Sequence, residues 1–337
     1  MSKRLTLLLV GAAGVVVLQQ QMLLRRPPRL VNITPQPMHI GSAGLDLVFS
    51  RPMHRPSLAE SSRLQPEIQH RWLGQGNALR LVVEGDVSIE EPLQLHLAGS
   101  DLRSQEISPQ TWWWDPRPWL LVNRRVAGGE QLQLRRRDGT WQAVTPVWPA
   151  ITQVVPLGNG RGIAMVSSDG RGQEQIWLRR LKPAGLQTDR TLLSTPRLGA
   201  LESLTADPLL FGHLSSNLNG DLLVQKGGFQ AGSQTTELLL NDGSSQTLQV
   251  KTSGPLQLIP AGGGMVVPAR DGLRIDSINE VRGSDPQILP GSREIGSFCS
   301  ASGRAVLIRH WPDYRRSIEL VIPGLAPRQL HLGDQAV

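Results

Sequence analysis

Apolar and polar residues alternate with a period of two in short bursts along most of the chain. Leu45, Leu47 and Phe49 share one face of such a run, as do Leu79, Leu81 and Val83, and then Leu93, Leu95 and Leu97. Successive side chains on a strand point to opposite faces, so each run predicts a strand with one buried face. Gly, Asn or Pro breaks recur about every 8–12 residues, the punctuation of an antiparallel sandwich. Gly74-Gln75-Gly76-Asn77 lies between two of the runs and predicts a hairpin turn.

After residue 115 the runs become repetitive. Five stretches share one plan: an apolar strand after a turn, a polar connector, a second strand. The first strands are Trp119-Leu120-Leu121-Val122, Ile163-Ala164-Met165-Val166, Leu222-Leu223-Val224, Met265-Val266-Val267 and Ala305-Val306-Leu307-Ile308. Aligning Val122, Val166, Val224, Val267 and Ile308 gives spacings of 44, 58, 43 and 41 residues. The second strands are clearest as Glu130-Gln131-Leu132-Gln133-Leu134, Glu174-Gln175-Ile176-Trp177-Leu178, Thr236-Glu237-Leu238-Leu239-Leu240 and Ser317-Ile318-Glu319-Leu320. A period in the forties with several short strands per unit predicts β-propeller blades, which bury their faces by stacking. Helical repeats of that length would show runs of period 3.6, and none is visible.

The N-terminus follows a different pattern. Leu5 to Leu18 carries no charge, and Lys3 and Arg4 precede it, the layout of a secretory n-region and h-region. Fourteen helical residues span roughly 21 Å, short of the roughly 30 Å hydrocarbon core. Continuing through Gln19, Gln20 and Gln21 to Leu24 makes a span of about 20 residues feasible. No small-x-small cleavage site and no lipobox cysteine follow, so an uncleaved signal anchor is expected, with Pro27 and Pro28 ending the helix. Positive charge flanks both ends and does not fix orientation; an inside N-terminus is chosen because the following domains read as exported. The expected organisation is an anchor and linker over 1–29, an Ig-like sandwich over 30–115 and a propeller over 116–337. The fold class is all-β apart from the anchor.

Two resemblances support that division. Leu47-Val48-Phe49-Ser50-Arg51-Pro52-Met53 resembles the FSxPM signature of the SbsA-type bacterial Ig-like domain. Ile33-Thr34-Pro35 stands where that family opens, and Trp72-Leu73-Gly74-Gln75-Gly76-Asn77-Ala78-Leu79 is similar to its W-x-G-x-N-x-L stretch. His54 replaces the usual acid after the methionine. The resemblance implies an extracytoplasmic spacer or adhesion module without catalysis, with Phe49 facing the core and Met53 plugging the sandwich end. The later repeat resembles the TolB-type propeller unit, best in Asn159–Ser168 followed by Gln175-Ile176-Trp177-Leu178, and next in Ser300–Ile308. This implies a scaffold that binds peptides or protein partners, although some enzymes carry such a propeller as an accessory domain.

Charge narrows the partners. The net charge is +7, but five bases and no acids lie in residues 1–29, leaving 30 bases against 28 acids in the rest. Phosphate tracking concentrates positive charge on the folded domain, so nucleic acid is not expected as a partner. The one cysteine, Cys299, excludes an intramolecular disulfide and a zinc cluster built on cysteine. Its strand-like surroundings predict a buried small residue. No GxSxG, HExxH, P-loop or EF-hand motif occurs. Gly158–Gly162 is glycine-rich but opens no helix, and Glu90-Glu91 are neighbours that a strand would point apart. His54 and His70 lack a third ligand and read as surface residues. No catalytic residue, cofactor or metal site is assigned.

Trp112, Trp113, Trp114 and Trp119 form the most unusual segment. They are candidate interaction or interdomain residues: a stacking platform for sugars in one reading, a wedge in the joint between domains in the other. Alternation puts Trp112 and Trp114 on one face and Trp113 on the other, which favours the wedge. Arg135-Arg136-Arg137-Asp138-Gly139 reads as a solvated hairpin tip.

The function expected from the sequence is a single-pass, extracytoplasmic scaffold presenting the sandwich and propeller to a protein or envelope-polymer ligand. The alternatives are a propeller enzyme acting on glycans or peptides, and a purely structural envelope component. Blades two to five each have an inner strand ahead of those aligned above, such as Gln153–Leu157 or Ile295–Phe298; blade one has none of its own, and few residues follow the last strand near Leu330. An open arc of about five blades, or a ring sealed by the tryptophan strand, is expected, with downstream sequence missing and an exposed edge that invites another chain.

Overall fold

The computed structural model describes residues 19, 26–36, 43–85, 87–182, 185–270, 272–278, 287–299, 304–322 and 325–333. The anchor expected from Leu5 to Leu18 lies outside them. Among the described residues no helix is long and apolar enough to cross a membrane. The chain divides into two compact units, the first ending at Arg117 and also taking in Gly185–Leu193, the second beginning at Pro118.

The first unit has seven strands: β1 (Leu30–Gln36), β2 (Ala43–Phe49), β3 (Arg63–Gln65), β4 (His70–Gln75), β5 (Ala78–Val83), β6 (Leu93–Leu97) and β7 (Gln110–Trp114). They form two antiparallel sheets, ordered β1-β2-β5-β4 and β3-β6-β7. This is the strand order of a constant-type immunoglobulin sandwich. The alternation explains it: Leu45, Leu47 and Phe49 of β2, Leu79, Leu81 and Val83 of β5, and Leu93, Leu95 and Leu97 of β6 enter one shared core. Met53 joins that core, and the segment carrying it is held by the β4–β5 turn, where the Phe49 amide donates to the Asn77 carbonyl (2.7 Å) and the Met53 amide to that of Gly76 (3.0 Å). Gly74, at φ +91°, belongs to the same turn; a β-carbon there would lie 2.9 Å from the Ala78 carbonyl oxygen. A short helix, α1 (Arg55–Ser61), follows Met53 and inserts Leu58 into the core.

The second unit is a run of five antiparallel meanders. The first sheet has three strands, β8 (Leu121–Val126), β9 (Gly129–Arg135) and β10 (Trp141–Ala143). The second holds β11 (Ala150–Pro156), β12 (Gly162–Ser168), β13 (Glu174–Lys182) and β14 (Arg197–Ser203), and the third β15 (Phe211–Ser216), β16 (Leu222–Gly227), β17 (Thr235–Leu239) and β18 (Ser245–Thr247). The fourth holds β19 (Gln257–Leu258), β20 (Gly264–Ala269), β21 (Gly272–Ser277) and β22 (Gln287–Pro290), and the fifth β23 (Arg293–Phe298), β24 (Ala305–His310), β25 (Arg316–Val321) and β26 (Arg328–Gly333).

Each sheet packs face to face on the next, as propeller blades do. The central strands are apolar on both faces because each face meets a different neighbour. Ile163 and Met165 of β12 pack with Leu132 and Leu134 of the first sheet, while Ala164 and Val166 pack with Leu214 and Val224 of the third. Leu223 turns to Met265 and Val267 of the fourth sheet, whose Val266 meets Ala305 and Leu307 of the fifth. Among the described residues no strand of the fifth sheet packs to a comparable extent on the first. Polar stitches cross the same gaps. The Glu130 carboxylate accepts the Ile151 amide (2.8 Å), and the Glu174 carboxylate accepts the Gly212 amide (2.6 Å).

The structure corrects the expectation for Cys299: it is exposed, just past the end of β23. Its amide donates to the Arg304 carbonyl (2.8 Å), one step beyond the Phe298–Ala305 pair of the β23–β24 ladder, so the residue stays beside the hairpin with its side chain in solvent.

Candidate functional site

The four tryptophans are divided between the two units. Trp112, Trp113 and Trp114 lie in β7 opposite Leu95, Gln94 and Leu93 of β6. Trp114 is buried and Trp112 packs against the same core. Trp113 points to the other face, where the Arg190 guanidinium stands 5.3 Å from its ring centroid. The Trp113 backbone forms a two-way bridge with Gln187, donating at 2.6 Å and accepting at 2.9 Å. Gln187 and Arg190 belong to the excursion Gly185–Leu193, which leaves the second sheet between β13 and β14 and folds as part of the first unit. Trp119 is in the second unit, partly buried against the core between the first two sheets, with the Arg137 guanidinium 4.2 Å from its ring.

The first sheet of the second unit holds a more accessible constellation. Leu121, Leu132 and Leu134 share the face that packs on the second sheet. The register puts Val122, Arg124, Gln131, Gln133, Arg135, Trp141 and Ala143 on the opposite face. Trp141 is 38 % exposed, with Arg124 at 5.0 Å and Arg135 at 5.8 Å from its ring centroid. Cations at these distances are held by the ring quadrupole. Arg124 is also aimed by a hydrogen-bonded relay: it donates to Gln133 (3.0 Å), which donates to Gln131 (2.7 Å), which donates to the Thr145 carbonyl (3.0 Å). Every link is neutral, so the charge of Arg124 is positioned without being cancelled. Among the described residues none of Arg124, Arg125, Arg135 and Arg136 has a carboxylate within ion-pair distance.

The nearby acids are already engaged. Hydrogen bonds from the Asn123 side chain and the Ile151 amide, helped by the charge of Arg125, hold the Glu130 carboxyl below its ordinary pKa. The Thr140 hydroxyl and amide do the same for Asp138. Among the described residues no three His, Cys, Asp or Glu side chains are placed to hold a metal ion.

The edge of this sheet is open as well. β12, β16, β20 and β24 are each paired on both sides, whereas β8, which occupies their rank, pairs among the described residues with β9 alone. The Arg135 amide donates to the Leu120 carbonyl (2.9 Å). By antiparallel alternation, residues 122, 124 and 126 then turn their backbone groups toward β9, and Leu121, Asn123 and Arg125 turn theirs to the open side. Asn123, Arg124 and Arg125 are exposed.

Sequence reasoning missed this site, because the arginines around the β9–β10 turn give no sign of which face they reach. The missing first strand was the one visible signal.

No protein-family model matches the sequence, and no curated protein matches it. Among solved structures, TolB from Acinetobacter baumannii is similar over 72 % of this chain and 67 % of its own, at 14 % identity and a TM-score of 0.44. A puromycin-hydrolysing peptidase of Mycobacterium tuberculosis is similar over 93 % of this chain and 54 % of its own, at 12 % identity and a TM-score of 0.41. A quinoprotein alcohol dehydrogenase-like protein from Bacteroides thetaiotaomicron covers 86 % of this chain, at 8 % identity and a TM-score of 0.30. The blade assignment rests on the strand order and stacking described above.

Proposed function

We propose that this chain is a binding scaffold, tethered to a membrane by its N-terminal segment and displayed outside the cytoplasm. In this reading the first unit is an SbsA-type Ig-like spacer and the second a TolB-type propeller region that recognises a protein or envelope-polymer ligand. The observation that carries the proposal is the exposed Trp141 between Arg124 and Arg135 on the outer face of the first sheet. A solvent-facing aromatic flanked by aimed, unneutralised cations is the composition of an interaction patch. The membrane tether is supported by the uncharged run from Leu5 to Leu18 behind Lys3 and Arg4.

The test uses the full chain in its own membranes with a photoreactive amino acid in place of Trp141. Crosslinking to one discrete partner, lost when Arg124 and Arg135 are both changed to Glu, is the expected result. Equal crosslinking with and without the arginines would overturn the reading. Alkaline carbonate extraction checks the tether: the full-length chain should stay with the membrane, and release of a shortened soluble form would refute it.

A further inference from the structure

The open edge of β8 shows how a ligand engages the patch. We propose that an extended, acidic polypeptide segment of a partner protein adds to β8 as the missing fourth strand of the first sheet. The inference rests on the binding reading above and specifies its chemistry.

Three observations converge. Among the described residues four sheets of the second unit have four strands and the first has three. The unfilled place borders Leu121, Asn123 and Arg125, whose outward N–H and C=O groups are spaced two residues apart, as a strand ladder requires. Among the described residues nothing bonds to them. Peptides that add to a sheet edge gain affinity from such backbone groups and specificity from side chains.

Charge chooses the occupant. Arg124 and Arg125 are adjacent, so their side chains leave the edge on opposite faces. A strand lying alongside would neutralise both by placing two neighbouring carboxylates next to them, one per face. Toward Leu121 and Val122, both half-buried, the same strand would place β-branched residues. A second copy of this chain is the poorer occupant. Pairing β8 with β8 sets four arginines along one ladder, and like charges across a ladder are destabilising. Edge arginines thus discourage self-association while admitting an acidic strand.

The test measures binding of a labelled octapeptide, Thr-Val-Glu-Glu-Thr-Val-Thr-Val with blocked ends, to the full chain in mild detergent. Two kinds of control peptide accompany it. One has Lys-Lys in place of Glu-Glu. The other keeps every side chain but carries N-methyl groups on alternate amides, in both phases. The acidic peptide should bind at least about tenfold more tightly than either, and hydrogen exchange at Leu121, Asn123 and Arg125 should slow on binding. Arg124→Glu with Arg125→Glu should reverse the preference to the lysine peptide; a single cooperative melting transition shows that the variant is folded, its midpoint lowered somewhat because position 125 faces Glu130 across the ladder. Equal binding of the N-methylated peptide would reduce the interaction to charge alone and overturn strand addition. Equal binding of the acidic and lysine peptides would overturn the charge argument. If the peptides fail while crosslinking through position 141 still depends on the arginines, strand addition falls and the binding scaffold stands. If both fail, the scaffold reading falls with it.

Discussion

At one end of the second unit, β8 leaves its edge open and its sheet turns Arg124, Gln133, Arg135 and Trp141 outward. At the other end, β24 is paired on both sides, and the face turned away from the fourth sheet carries Val306, Ile308, Ile318 and Leu320, all half-buried. The inward faces are apolar at both ends, Leu132 and Leu134 on the first sheet and Ala305 and Leu307 on the fifth, but the fifth adds Glu319 there, in an ion pair with Arg293 at 2.7 Å and with both side chains about 95 % buried. One repeat plan therefore accommodates opposite polarities at its two ends, because stacking requires an apolar strip at the centre of each interface and leaves the remaining positions open to choice.

Mutations can break or sharpen that contrast. The largest effect should come from Glu319→Ala. Arg293 would be left buried with no countercharge, which typically costs about 3–5 kcal/mol. Its Nη1 already lacks a hydrogen-bond partner, so no spare contact compensates. Urea denaturation measures this, and a loss under about 1 kcal/mol would mean that the pair is hydrated and does not set the fifth sheet apart from the first. Replacing Arg293→Met with Glu319→Leu should recover most of what Glu319→Ala loses, since Arg309, the other cation on Glu319 (3.4 Å), is partly exposed and can turn to solvent.

Leu132→Ala comes next. The side chain is 1 % exposed between the first and second sheets. A truncated buried leucine costs about 2–5 kcal/mol. A full-sized loss would show that the three-stranded sheet is an integral part of the stack; a loss near zero would mark it as a loosely attached flap.

Glu130→Gln should have a smaller, pH-dependent effect. The Glu130 carboxyl sits below its ordinary value in the folded chain because Asn123 and the Ile151 amide donate to its charged form. A lowered folded-state pKa gives stability that is present above the unfolded value and lost as pH falls through the folded one. The variant should therefore melt below the parent at pH 7, and the gap should close toward pH 3. A gap independent of pH would place the effect in packing. Arg124→Ala should change stability least, by no more than about 0.5 kcal/mol, since the side chain is solvated. A larger loss would show that the arginine and tryptophan face holds the sheet together.

Much of the fold was legible because burial on alternate positions leaves its period in the sequence. Val122, Val166, Val224, Val267 and Ile308, aligned by spacing alone, fall in β8, β12, β16, β20 and β24. That the first sheet has no inner strand among the described residues was legible for the same reason. The strings Glu130-Gln131-Leu132 and Glu174-Gln175-Ile176 also recur visibly, and their shared glutamates stitch consecutive sheets, a role that comparing the two strings could have raised. Helix α1 left no trace: seven residues with a proline at the start are too few to display a period of 3.6. Cys299 was misread because a strand-like run does not reveal which of its positions at the end of a hairpin face solvent. The face reached by Arg124, Arg135 and Trp141 depends on register across a hairpin, which composition does not encode.

The excursion Gly185–Leu193 has a consequence for synthesis. Domains commonly fold in order as the chain emerges from the ribosome. Here the sandwich awaits a piece of itself encoded some seventy residues downstream of Arg117. Until Gln187 arrives, the Trp113 amide and carbonyl lie unpaired along β7 as a raw sheet edge, with Leu186 missing from the flank of the core. The first blade and three strands of the second must be translated before the sandwich is finished, so maturation of the N-terminal module is timed by the module behind it. A gene cut at Arg117 would yield a product that lacks its final strap.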